Sequence, residues 1–303
     1  MPARVYRRVL LIELLIYLAA GYGLVGFAGW EWRGAALALF VFALALRSLG
    51  IALTFIIAGH HASPAPSEHR LSSAGLLKLF FSELRAYIVI FNLYQPFEKL
   101  LGGTEALHPA PRGRLPVLLL HGYICNRGVM APLRRYLRGR GIGAYSHNLE
   151  PAYADMDAYA DAMARRIEEI CNASGADKLV IVAHSMGGLA ARAYLRRYGA
   201  HRVARLVTLG TPHQGTVTAR LALGKNGRQM VPGNAWLQRL NQDAPAVPLV
   251  SVFSYQDNFI VPQESAALAG SKLVALSGIG HLGMPLSRRV REIVAEEVLS
   301  ASD

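Results

Sequence analysis

Lys178-Leu179-Val180-Ile181-Val182-Ala183-His184-Ser185-Met186-Gly187-Gly188-Leu189-Ala190 is the stretch whose reading decides the fold. A short apolar, β-branched run stops at Ser185. Two glycines follow, and a helical pattern begins with Leu189, Ala190, Ala193, Tyr194 and Arg197. Strand, sharp turn and helix with a serine at the turn make a nucleophile elbow, which lifts the serine Oγ above the sheet. The chain segments on either side nearly touch there, so the residues two before and two after the serine must be small. Ala183 and Gly187 meet that need. The helix also aims its positive end at the place where an oxyanion would form. A serine before a helix equally fits a simple N-cap, so the reading rests on what lies up and down the chain.

Outward from the elbow, strand and helix patterns alternate. Buried strands are expected at Pro116 to Leu120, Gly143 to Leu149, Val203 to Leu209, Pro248 to Ser254 and Lys272 to Ala275. Helices are expected near Val129 to Arg140, Met156 to Cys171 and Pro285 to Leu299. Such alternation predicts an α/β domain with a mostly parallel sheet and helices on both faces. Some forty residues separate the strand ending near Leu209 from the one starting near Pro248, too long for a simple crossover. A cap or lid over about 213–247 is the expectation.

Serine needs a base to take its proton, and the base needs an orienting carboxylate. In this fold the chain order is serine, acid, histidine, each partner following a later strand. Asp257 follows the strand that ends at Ser254, and His281 follows the last strand, ahead of the closing helix. Asp243 lies inside the presumed cap and ranks below Asp257. His184 precedes the serine and should point away from it, and His213 follows a strand end one step too early. The turn Leu120-His121-Gly122-Tyr123 comes after the first strand, where the Tyr123 N–H and the Met186 N–H would form an oxyanion hole.

Three stretches make a resemblance specific: Val117-Leu118-Leu119-Leu120-His121-Gly122-Tyr123, Ala183-His184-Ser185-Met186-Gly187-Gly188 and Leu209-Gly210-Thr211-Pro212-His213-Gln214-Gly215-Thr216. With Asp257 to Pro262 and Gly280-His281, they resemble the bacterial triacylglycerol lipases of the α/β-hydrolase superfamily, over roughly Pro116 to the C-terminus. The resemblance implies triad roles for Ser185, Asp257 and His281. It also implies that Thr211, His213 and Gln214, with His121, Gly122 and His184, line the site. No carboxylate pair suits the structural calcium that many of those lipases carry, so neither metal nor cofactor is expected.

The N-terminus departs from that pattern. After Arg4, Arg7 and Arg8, Val9 to Trp30 is apolar except for Glu13, and Ala35 to Ala58 is apolar except for Arg47 and small polar residues. Each run is long enough to cross a bilayer as a helix, and tryptophans mark the turn between them. A signal peptide is the rival reading, disfavoured by the length of the first run, its glutamate and the second run behind it. In an antiparallel hairpin Glu13 and Arg47 lie at similar depth, and the expectation is that they pair. Leu76 to Leu101, apolar but studded with Lys78, Glu83, Arg85, Glu98 and Lys99, reads as a helix on the membrane or on the hairpin. A Gly- and Pro-bearing linker from Gly102 to Pro116 leads into the catalytic domain.

The division expected is therefore 1–60 for two membrane helices, 61–113 for connector and membrane-proximal helix, and 114–303 for the catalytic domain. The 303 residues are 52% apolar with a net charge of +12. The arginines are scattered along helices without interleaved aromatics, so an anionic membrane surface, not nucleic acid, is the expected partner. Cys125 and Cys171 form no metal or disulfide pattern. The whole reads as a membrane-anchored serine hydrolase of carboxylic esters of lipids, with both chain ends on the cytoplasmic side of the inner membrane. A thioesterase, acyltransferase or (glyco)lipid deacylase with the same triad is the alternative, and a non-catalytic binding protein the less favoured one.

Overall fold

The computed structural model describes residues 1–302 apart from 104 and 112. Two positions of the expected 102–116 linker, and residue 303 of the expected 114–303 domain, thus lie outside the described residues. The sheet has six parallel strands in the order β2-β1-β3-β4-β5-β6. They are β1 (Val117–Leu120), β2 (Ala144–His147), β3 (Leu179–His184), β4 (Val203–Leu209), β5 (Leu249–Ser254) and β6 (Lys272–Leu276). Each lies within or close to an expected run. The register sets Leu120 against Ala183 and His184 against Leu209, so the loops carrying function leave the same, carboxyl edge.

Side chains alternate across each strand, which divides the core in two. Leu118, Leu120, Ile181, Ala183 and Leu206 pack with α6 (Ala160–Ser174), α7 (Met186–Tyr198) and α9 (Ala235–Leu240). Val117, Leu119, Val180, Val182, Val207 and Val250 face α5 (Ala131–Arg138) and α10 (Arg288–Leu299). Between β4 and β5 the chain forms α8 (Gly224–Gln229) and α9, and α9 packs its Trp236, Leu237 and Leu240 into the first core cluster.

The two N-terminal helices, α1 (Ala3–Gly26) and α2 (Trp32–His61), are long and apolar enough to cross a membrane. Most of their large apolar side chains are exposed, Leu37 and Phe40 among them. Arg47 Nη2 donates to Glu13 Oε1 and Oε2 at 2.6 and 2.8 Å, and Tyr17 adds a hydroxyl at 2.8 Å. The two charges thus meet as their depth in the hairpin suggests.

α3 (Ser73–Val89), a π-helical turn at Ile90–Tyr94 and the short α4 (Glu98–Gly102) follow. α3 is two-sided. Leu76, Leu77 and Phe81 are exposed, whereas Leu84, Ala86 and Ile90 join the second core cluster together with Ile51 of α2. That cluster therefore runs without a break from the N-terminal helices into the sheet.

Candidate active site

Ser185 sits at φ +57, ψ −130, the strained turn between β3 and α7. The crowding that demands small neighbours is visible at Gly187, where a Cβ would lie 2.6 Å from the His121 carbonyl oxygen. Thr211 Oγ1 donates to the Ser185 carbonyl at 2.9 Å and braces the elbow from behind. Met186 opens α7, so its N–H has no acceptor within the helix. Gly122 packs against Ser185, and a Cβ there would approach the serine Cβ to 2.7 Å.

His281 Nδ1 donates to Asp257 Oδ2 at 2.8 Å. Asp257 Oδ1 accepts the Phe259 and Ile260 N–H groups, each at 2.8 Å, leaving Oδ2 for the imidazole. The proton on Nδ1 makes Nε2 an acceptor. Burial alone would push the His281 pKa down, but the Asp257 charge and hydrogen bond outweigh it and hold the value above the ordinary 6.5. Ser185 and His281 border one cavity of about 370 Å³, shared with Tyr123, His184, Phe259 and Leu282.

Several expected wall residues stand elsewhere, and each has a physical reason. The His121 ring is held behind the site: Nδ1 donates to the Gly122 carbonyl at 2.9 Å and Nε2 accepts the Leu149 N–H at 3.0 Å. Burial pushes its pKa down to about 3, so it stays neutral. Thr211 is turned to the elbow, as above. His213 is fully buried between Arg192, at 3.3 Å, and Thr208, at 3.2 Å. Gln214 faces outward and accepts from Asn241 Nδ2 at 3.2 Å. The segment between β4 and β5 supplies Thr216, Thr218, Ala219, Leu221 and Ala222 as wall instead. Asp243 is exposed. His184, expected to turn away, lies with its ring centroid 4.6 Å from that of His281 and donates from Nε2 to the His281 carbonyl at 3.1 Å.

Sequence reasoning missed the groups that hold the Asp257 and His281 loops. Glu83 of α3 is fully buried and accepts the Leu282 and Gly283 N–H groups at 2.7 and 3.0 Å. Gly280 leaves room for it, since a Cβ there would fall 2.4 Å from Glu83 Oε2. Burial pushes the Glu83 pKa up to about 7, partly offset by these hydrogen bonds and by His281. Asn258 Oδ1 accepts the His281 N–H at 3.1 Å, and Asn258 Nδ2 donates to Thr54 Oγ1 of α2 at 2.7 Å. Gln263 Nε2 donates to the Asp257 carbonyl at 2.9 Å, while Gln263 Oε1 accepts the Ser63 N–H at 2.8 Å. A carboxylate at position 83 within an apolar helix was the one available signal, because such a charge requires partners.

The palmitoyl protein thioesterase family pattern matches residues 116–246. Triacylglycerol lipases of Pseudarthrobacter phenanthrenivorans and Burkholderia plantarii are each 28% identical over 112 residues, or 34% of this chain. The match spans about a third of either relative, 34% and 31%. Among solved structures, Aspergillus fumigatus lipase B aligns over 93% of this chain and 84% of its own, with TM-score 0.60 and 14% identity. Bacillus licheniformis lipase BlEst2 in mature form aligns over 64% and 95%, with TM-score 0.56 and 17% identity. The chain has the α/β-hydrolase fold. In sequence it is similar to triacylglycerol lipases over 34% of its length.

Proposed function

We propose that this protein is a membrane-anchored serine hydrolase of carboxylic esters, with a lipid or similar acyl ester as substrate. One observation carries the reading: a carboxylate-held imidazole and a serine elbow border the same apolar cavity. In this reading Ser185 Oγ attacks the ester carbonyl while His281 Nε2 takes its proton. Asp257 holds the imidazole and stabilises its charged form. The N–H groups of Tyr123 and Met186 receive the developing oxyanion, each at a typical value of about 10²–10³ in rate. His281 then returns the proton to the leaving alcohol, and water releases the acyl group from Ser185 by the same steps in reverse.

The hairpin supports the membrane part of the reading, because most of its large apolar side chains stay exposed among the described residues. Arg4, Arg7 and Arg8 in the first turns of α1 favour a cytoplasmic catalytic domain. Hydrolysis of a thioester is a second reading, favoured by the family match over 116–246; the same serine and imidazole serve both reactions.

Ser185→Ala is expected to abolish labelling by a fluorophosphonate probe and to lower p-nitrophenyl ester hydrolysis by about 10⁴-fold or more. Labelling that persists in this variant sinks Ser185 as nucleophile. Comparing a palmitoyl oxyester with a palmitoyl thioester ranks the two substrate classes.

A further inference from the structure

The cavity has a wall that the catalytic domain does not supply. Thr54 and Ile57 of α2 border it directly, and Tyr87 and Phe91 of the following helical segment border it beside them. Asp, Glu, Lys and Arg are missing from its border among the described residues. Its threonine hydroxyls are already engaged. Thr54 donates to the Ile51 carbonyl at 2.7 Å, and Thr216 and Thr218 both donate to the Phe259 carbonyl at 2.7 Å. A charged or sugar-like headgroup finds few partners on such a wall, whereas a hydrocarbon chain loses none.

The length of α2 explains how a membrane helix reaches the site. Its 30 residues span about 45 Å at 1.5 Å per residue. A bilayer core of about 30 Å takes about 20 of them. Counted from the turn at Trp32, the crossing ends near Ile51, which is where α2 enters the domain core. The residual turns, with Thr54 and Ile57, stand beside the catalytic loops. α1 does the same at its start. The Tyr6 hydroxyl donates to the Ile124 carbonyl, and the Met1 ammonium donates to the Cys125 carbonyl at 2.6 Å. Both acceptors belong to residues of the cavity border. Leu221 of the segment between β4 and β5, exposed yet on that border, extends the apolar surface outward from the cavity.

We propose that the inner end of α2 is a substrate-binding element: the acyl chain of a membrane lipid lies along Thr54 and Ile57, between the hairpin and the β4–β5 segment, with its ester carbonyl at Ser185. The hairpin then has two tasks, holding the enzyme at the bilayer and shaping the acyl site. This rests on the ester-hydrolase reading above.

The test uses the full chain in detergent micelles and a series of p-nitrophenyl esters from acetate to palmitate. Ile57→Trp, which fills the cavity, is expected to lower the palmitate-to-acetate ratio of kcat/KM by about tenfold or more. Ile57→Ala, which enlarges it, is expected to move the preferred acyl length upward by about two carbons. Leu37→Trp, on the outer, lipid-facing part of α2, should keep the wild-type ratio. Fluorophosphonate labelling of Ser185 shows that each variant is folded. If labelled Ile57→Trp and Ile57→Ala both keep the wild-type ratio and preferred length, the proposal is overturned while the ester-hydrolase reading stands. If the wild-type chain neither hydrolyses any ester nor labels at Ser185, the ester-hydrolase reading falls and takes the proposal with it.

Discussion

The elbow loop and the two loops that carry Asp257 and His281 meet at one cavity, yet they are held in opposite ways. The elbow is fixed by its own neighbours in the sheet. Gly187 rests on His121, Thr211 holds the Ser185 carbonyl, and the Ser185 N–H reaches the Leu209 carbonyl at 2.9 Å. The Asp257 and His281 loops are held from outside the sheet. Glu83 accepts two N–H groups of the His281 loop, Thr54 Oγ1 accepts from Asn258 Nδ2, and the Ser63 N–H donates to Gln263 Oε1. All three come from the segment before the first strand. The serine is thus positioned by short-range packing, whereas its partners depend on contacts some two hundred residues away in sequence. In such an arrangement the N-terminal segment helps set the geometry of the Asp257 and His281 loops.

The largest effect that sharpens this contrast is expected at the elbow itself. Gly187→Val drives a side chain into the His121 carbonyl, 2.6 Å from where its Cβ would stand. The strain costs about 1–3 kcal/mol of stability. A displaced Met186 N–H costs about 10²–10³ in kcat. Thermal unfolding and steady-state kinetics check both, and full activity in a folded variant would break the account of the elbow.

Next comes Glu83. Replacing it with Ala frees the His281 loop, and displacement of a catalytic group by about 1 Å costs about 10²-fold, seen in kcat more than in KM. Glu83→Gln keeps one acceptor and should recover part of that loss. Its pH behaviour separates charge from shape. The folded pKa of about 7 lies above the ordinary 4.5, because burial disfavours the carboxylate. The folded state therefore keeps the proton longer than the unfolded state. Its stabilising contribution is complete below about pH 4.5 and is lost as pH rises toward about 7. The thermal midpoint of the wild type should fall relative to Glu83→Gln across that interval, and parallel profiles would contradict the assignment.

The smallest effect is expected at Thr54→Val, which preserves shape and removes the acceptor for Asn258 Nδ2. A buried donor left alone costs about 1–3 kcal/mol, and a severalfold loss of kcat should accompany it. A variant matching wild type in both would show that α2 merely touches the loop.

How much of this is legible without coordinates follows from the same contrast. The β3 run, the small residues around Ser185 and the placement of Asp257 and His281 after later strands are local or ordered signals. They led to the strands and to an imidazole–carboxylate pair at 2.8 Å. The wall was harder to read. His213 and Thr211 look like site residues by position, but their side chains satisfy Arg192, Thr208 and the Ser185 carbonyl instead. Glu83 is one of five charged residues in the apolar run from Leu76 to Leu101, with nothing to mark it out from the other four or to name its partners.

By itself the sequence determined the alternating pattern, the strand, turn and helix around Ser185, the order of the three polar groups and the apolar hairpin. Periodicity and steric need write these into neighbouring residues. Only the tertiary structure decided that α2 and α3 close over the sheet and that Glu83 lies beneath His281. Only there does Ile57 meet the cavity. A buried carboxylate and an apolar surface each demand a partner, but nothing in the local chain says which of the distant segments will provide it.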